Sequence, residues 1–235
     1  KNIIHRYSKR DQGELYDPFE IVPLVTTKLN DKVLLFSDAK ERTVKVDVRS
    51  GANNIKGKLF LKVPKGWKVS PTFIDIEIKE KGDTQAYQFL ITPTIDDSEG
   101  TIKASVLVDG EKFDKELIEI KYDHIPKQTV LKKSEAKVVR LNIRKAGNFI
   151  GYIKGAGDLI PESLKQIGYS VVMINPEDIT TEHLIKFDAI VLGIRAYNTL
   201  PILKYKQKFL LEYVKNGGNM VVQYNTSRRV DVAAP

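Results

Sequence analysis

Two hydrophobic rhythms divide the chain. Across residues 20–122 apolar and polar positions alternate with period two, as in strands that bury one face. Thr43-Val44-Lys45-Val46-Asp47-Val48 alternates without a break, as do Gly57 to Val63, Ile74 to Ile78, Ala86 to Ile91, Thr101 to Val108 and Lys115 to Ile120. Asn53-Asn54, Pro64-Lys65-Gly66, Lys81-Gly82-Asp83 and Asp96-Asp97 supply turns between the runs. Asp109-Gly110, flanked by two alternating runs, is the strongest hairpin signal. Six or seven short strands in about 100 residues predict an immunoglobulin-like β-sandwich.

From residue 147 the rhythm changes. Short apolar runs (Phe149 to Ile153, Tyr169 to Ile174, Ala189 to Ile194, Met220 to Val222) alternate with helical segments. That order predicts right-handed βαβ units in an α/β, flavodoxin-like parallel sheet. Asp158 to Ile167 predicts a helix stopped by Gly168, with Asp158 as cap and Pro161 in its first turn. Thr180 caps a second helix, with His183 exposed in its first turn, and Tyr205 to Lys215 forms a third. The predicted organisation is an N-terminal extension (1–19), the sandwich (20–125), a connector (126–146) and the α/β domain (147–235). Lys137 to Ile143 adds one strand inside the connector. The chain starts with Lys and stops just after the fourth run, so a fragment with an incomplete α/β domain is expected.

Ligands of open α/β sheets sit beyond the carboxyl ends of the strands. Those ends carry Lys154, Asp158, Arg195, Tyr197, Asn198, Gln223 and Asn225, which form the candidate crevice. Arg195 can hold a carboxylate or phosphate by a bidentate contact, or brace neighbouring loops by pairing with an acid such as Asp158. Lys154-Gly155-Ala156-Gly157 resembles a phosphate cradle but matches neither the dinucleotide fingerprint nor a P-loop. Ser227 stands where an elbow nucleophile is displayed, yet lacks the Gly-x-Ser-x-Gly pattern. Trp67 either stacks on a sugar or anchors a turn and plugs one end of the sandwich.

Composition narrows the options. With no cysteine the chain has no disulfide, thiolate nucleophile or sulfur-ligated metal. Its histidines, His5, His124 and His183, lie away from the crevice, so neither a metal site nor nucleophilic hydrolysis is expected, and no cofactor. The net charge of +8 permits anionic partners, but the lysines are scattered among acids, which argues against a nucleic-acid footprint. No apolar run approaches the roughly 20 residues that span a bilayer.

The residues resemble a family. Ile150-Gly151-Tyr152-Ile153-Lys154-Gly155-Ala156-Gly157-Asp158, Gly193-Ile194-Arg195-Ala196-Tyr197-Asn198, Val214-Lys215-Asn216-Gly217-Gly218-Asn219 and Gln223-Tyr224-Asn225-Thr226 look like the C-terminal region of PIG-L (LmbE-like) deacetylases of Bacteroidetes. Val63-Pro64-Lys65-Gly66-Trp67-Lys68-Val69 is similar to the NEW3 domain of glycosidases. The resemblance implies a NEW3-like sandwich followed by a class I glutamine amidotransferase-like domain. It also implies a preceding zinc-dependent N-acetylglucosamine-type deacetylase domain as intramolecular partner, and a periplasmic or extracellular location. The deacetylase's His-Pro-Asp-Asp motif and the amidotransferase's cysteine are both missing, so neither activity carries over. The expected function is therefore a non-catalytic accessory region, with a glycan or small sugar as ligand. The alternative is an enzyme acting on a small sugar or sugar phosphate, with Asp158 as acid/base.

Overall fold

A computed structural model describes residues 3–11, 13–122 and 124–226. The chain divides into two compact units, Lys1–Leu141 and Asn142–Pro235, each described by itself. Among the described residues no helix is long and apolar enough to cross a membrane.

The first unit is built from β-strands. β1 (Ile4–Lys9) and β2 (Gly13–Pro18) form an antiparallel hairpin. There follow β3 (Val25–Leu29), β4 (Val33–Phe36), β5 (Arg42–Ser50), β6 (Ile55–Lys62), β7 (Lys68–Ser70) and β8 (Ile74–Ile78). Then come β9 (Thr84–Thr92), β10 (Ser98–Val108), β11 (Glu111–Phe113), β12 (Lys115–Tyr122), β13 (Ile125–Lys133) and β14 (Glu135–Arg140). One sheet has the order β4-β14-β10-β6-β8, with β11 paired to β10; the other runs β3-β5-β9-β7. The two share one core, so the unit is sandwich-like. Val44, Val46 and Val48 of β5 are buried in it with Leu59 and Leu61 of β6 and Ile102 of β10. Each such side chain contributes about 1.5–3 kcal/mol by leaving water. Val108 pairs with Glu111 across Asp109-Gly110, whose φ angles of 49° and 83° suit the tight turn that joins twisted strands.

Two expected boundaries shift. The connector expected at 126–146 is largely strand: β13 pairs antiparallel with β12, and β14 joins the β10 sheet inside the first unit. In β13, side chains that can be described range from half-buried to exposed, so the strand carries no apolar period to read. The 1–19 extension contains the β1–β2 hairpin, which is mostly exposed on both faces for the same reason.

Among the described residues the second unit has four strands, β15 (Phe149–Ile153), β16 (Ser170–Met173), β17 (Ala189–Leu192) and β18 (Asn219–Val222), all parallel in the order β16-β15-β17-β18. Its helices are α1 (Ile160–Gln166), α2 (Thr181–Leu184), α3 (Ala196–Thr199) and α4 (Leu203–Lys215), with a single 3₁₀ turn at Pro176–Asp178. Ile190 and Leu192 pack with Leu184 of α2 and with Leu203, Leu210 and Tyr213 of α4. On the opposite face Ile150, Tyr152 and Val191 meet Leu164 of α1. Alternate residues of the same strands thus feed two cores, as a sheet covered on both faces requires.

Candidate functional site

The strand order changes direction between β15 and β17, because α1 and α4 leave towards opposite faces. At such a switch point the two following loops normally part and leave a crevice. Here they touch. Ala156 N donates to Ile194 O at 2.8 Å, and Gly193 N to Ile153 O at 2.8 Å. A Cβ on Gly155 would lie 2.2 Å from Ile194 O, and one on Gly193 would lie 2.7 Å from the Tyr152 hydroxyl. Only glycine allows so close an approach of two backbones.

Asp158 tightens the same junction. Its Oδ1 accepts the Ile160 N–H at 3.0 Å and its Oδ2 the Ile194 N–H at 3.2 Å. The Tyr152 hydroxyl donates to the carboxylate, and Gln223 Nε2 of the segment after β18 donates to the Tyr152 oxygen at 3.2 Å. Burial alone would raise the Asp158 pKa; the Tyr152 hydroxyl and the two backbone N–H groups outweigh it and hold the carboxyl below the usual aspartate range. Burial and the adjacent carboxylate push the Tyr152 phenol well above its ordinary value. The group is thus a fixed acceptor beside a fixed donor, tying three strand ends together.

The amides beyond β17 and β18 are engaged in the same manner. Asn225 Oδ1 accepts the Tyr197 N–H at 3.1 Å, and Asn225 Nδ2 donates to Gln223 O at 2.8 Å. Asn198 donates to Thr226 O at 3.1 Å and accepts Thr226 N at 2.9 Å. Arg195 adopts the left-handed conformation (φ 57°, ψ 26°), and its N–H reaches Tyr224 O at 2.7 Å. The side chains of Lys154 and Arg195 are exposed and have no polar partner among the described residues.

The seven predicted crevice residues therefore separate into classes. Asp158, Asn198, Gln223 and Asn225 are brought together as a brace, while Lys154 and Arg195 stand free at its rim. Tyr197 is buried at 4% exposure in the core against α4, not in a crevice, and its hydroxyl lacks a partner among the described residues. The envisaged Arg195–Asp158 pair is not formed, because the carboxylate takes neutral donors instead. A phosphate cradle fares no better: α1 has only seven residues, and its first N–H already faces the Asp158 carboxylate. Ser227 lies outside the described residues.

Trp67 is 6% exposed, so its ring is not available for sugar stacking. It meets Phe36 edge-on at 5.0 Å, and its Nε1 donates to Ser98 Oγ at 3.1 Å. This is the turn-anchoring alternative. His183 is half-buried rather than exposed: its ring nitrogen lies 2.9 Å from Asp178 O, while Thr180 caps α2 as expected. Sequence reasoning missed Tyr152 and Asp188. Tyr152 carried a signal, as a phenol inside an aliphatic strand two residues before the Lys154-Gly155 turn. Asp188 accepts the N–H groups of Asn148 and Phe149 at 2.7 and 2.8 Å, and the Phe149 and Asn148 bonds lower its pKa. Nothing in a strand-entry aspartate announces that role.

No family model and no curated protein matches this chain. Among solved structures it is similar to native α2-macroglobulin of Escherichia coli, at 10% identity and a TM-score of 0.34 over 55% of this chain and 7% of that one. A crystal structure of that protein from domain MG7 to the C-terminus gives 11% identity and a TM-score of 0.31, over 50% of this chain and 16% of that one. A family 123 glycoside hydrolase from Clostridium perfringens gives 9% identity and a TM-score of 0.27, over 83% of this chain and 37% of that one. The chain thus spans only a small part of the macroglobulin chains it matches. Scores this low carry no argument about function.

Proposed function

We propose that this chain is a non-catalytic accessory region of an exported, carbohydrate-active deacetylase of the PIG-L type. The sandwich-like unit acts as a spacer that faces glycan. The parallel α/β unit is a flavodoxin-like domain derived from the amidotransferase type, retained for packing beside the parent's catalytic domain. Export and the deacetylase parent rest on the sequence resemblance alone. The observation that supports a non-catalytic reading is the Asp158 brace. A general acid or base needs a titratable group near working pH and within reach of substrate. Asp158 instead sits below the aspartate range, with its oxygens turned to three donors of its own chain.

The test is to incubate the isolated chain with N-acetylated sugars, sugar phosphates and glutamine, and to follow product by mass spectrometry. No product is expected. Turnover that disappears in Asp158→Asn would replace this reading with that of a small-sugar enzyme using Asp158 as acid/base.

A further inference from the structure

The first unit carries a concavity of its own. A groove of about 680 Å³ runs between the 19–24 segment, the end of β5, the turn before β9, and the β12–β13 hairpin. That volume is within the range of small-ligand pockets, about 300–1,000 Å³. One wall is apolar, formed by Pro18, Phe19, Ile21, Val22 and Pro23. Phe19 is 59% exposed and Ile21 is 87% exposed, although both belong to a segment anchored at each end. Phe19 N donates to Ile3 O at 3.1 Å, and Leu24 O accepts Gly51 N at 2.7 Å.

The same groove is lined by a ladder of alternating charge. Arg49 Nη1 pairs with Glu119 Oε2 at 2.9 Å, Glu119 Oε1 with Lys127 Nζ at 2.7 Å, and Lys127 with Glu20 at 3.5 Å. Thr129 Oγ1 donates to Glu20 at 2.6 Å and closes the row. Hydrogen bonds from Lys127 and Arg49 outweigh burial and hold the Glu119 carboxyl below its ordinary range, so that carboxylate keeps its charge near neutral pH. Lys81 adds one more cation at the rim.

This pairing selects a ligand class. An anion entering the groove meets Glu20 and Glu119; a cation meets Arg49, Lys81 and Lys127. A neutral hydroxyl both donates and accepts, so it can bond the spare lone pairs and N–H groups of the ladder without opposing either charge. A ligand that pairs hydroxyl edges with an apolar face also suits the Phe19 ring and its neighbours. We infer that the groove between Phe19 and the Arg49–Glu119–Lys127–Glu20 ladder is a binding site for a neutral saccharide. The inference rests on the glycan-facing reading of the first unit, and gives it a place other than Trp67.

The experiment is a titration of the whole isotope-labelled chain with cellotriose, chitotriose and trigalacturonate, read by amide chemical shifts. The neutral trisaccharides are expected to move the amides of 19–24, 49–51 and 127–129. Phe19→Ala should weaken that binding about tenfold, the loss of one stacking face. Glu119→Gln strips the acid from Arg49 and Lys127, and should turn preference towards trigalacturonate. Unchanged affinity in Phe19→Ala overturns the site, as do shifts confined to 154–158 and 193–198, though glycan binding itself would then survive. Binding of trigalacturonate alone by the unsubstituted chain overturns the neutral class. No response to any of the three overturns both the groove and the glycan-facing role, leaving only the spacer.

Discussion

The hydroxyl of Tyr152 lies 2.6 Å from each carboxylate oxygen of Asp158, across the turn that leaves the central strand β15. The tyrosine is 1% exposed, so its hydroxyl has no water to fall back on, and the aspartate is its acceptor. Removing the donor in Tyr152→Phe leaves the carboxylate short of one charge-assisted bond. The second unit should lose about 1.5–3 kcal/mol, the cost of a hydrogen bond to a charged group. Urea unfolding followed by amide exchange within β15 and β17 reads this directly, and an unchanged midpoint would remove the brace from the account.

The same pair predicts an acid dependence. The folded Asp158 pKa lies below that of the unfolded chain, so its stabilising contribution is complete above the unfolded value of about 3.9 and fades as pH falls through the folded one. The stability gap between the unsubstituted chain and Asp158→Asn should therefore be widest near neutrality and close below about pH 4. Thermal melts of both proteins across that range are the check; a constant gap would mean that the carboxylate charge has no part in the bond.

Tyr197 behaves in the opposite sense. Its hydroxyl is buried without a partner among the described residues, and burial raises its pKa. Tyr197→Phe removes a desolvated polar atom and keeps the ring, so the second unit should be unchanged or more stable by up to about 1–3 kcal/mol. A lower melting temperature would reveal a bond to that oxygen.

Trp67 is the only tryptophan of the chain, which makes its fluorescence a specific report on the first unit. Packed on Phe36 inside the core, it should emit in the blue and shift to the red only on unfolding. Cellotriose should leave the folded emission wavelength unchanged. Trp67→Ala should cost about 3–5 kcal/mol, the range for emptying a large aromatic site.

Gly155→Ala would place a methyl group 2.2 Å from Ile194 O. Backbone cannot move aside as a flexible side chain can, so a loss of about 3 kcal/mol or more is expected on thermal unfolding. Tolerance of alanine there would mean that the two loops are not in contact.

The strands of both units were legible wherever burial left a period. Val44, Val46 and Val48 alternate because one face of β5 meets the core, and Ile190-Val191-Leu192 is continuous because both faces of β17 are covered. β13 and the β1–β2 hairpin were not legible, since strands with little buried surface leave hydrophobicity no pattern to follow. The crevice residues were legible by position and not by role. Asp158 follows β15 as a site residue would, but what it does depends on Tyr152 and on Gln223, which is 71 positions from that tyrosine. Such pairings are set by strand order, which no local window of sequence contains.

The contact between the loops at Gly155 and Gly193 also bears on how such a domain can change over evolution. In a sheet whose switch-point loops stand apart, catalytic groups can be exchanged while the scaffold is untouched. Here the polar residues at the strand ends are themselves the scaffold, so a substitution that installs new chemistry at Asp158 or Gln223 also loosens the sheet. Lys154 and Arg195, whose side chains have no polar partner among the described residues, are the positions where variation meets least resistance, with β-branched residues barred at Arg195 by its left-handed backbone. Descendants of this domain should drift at those two cations and keep the frame between them.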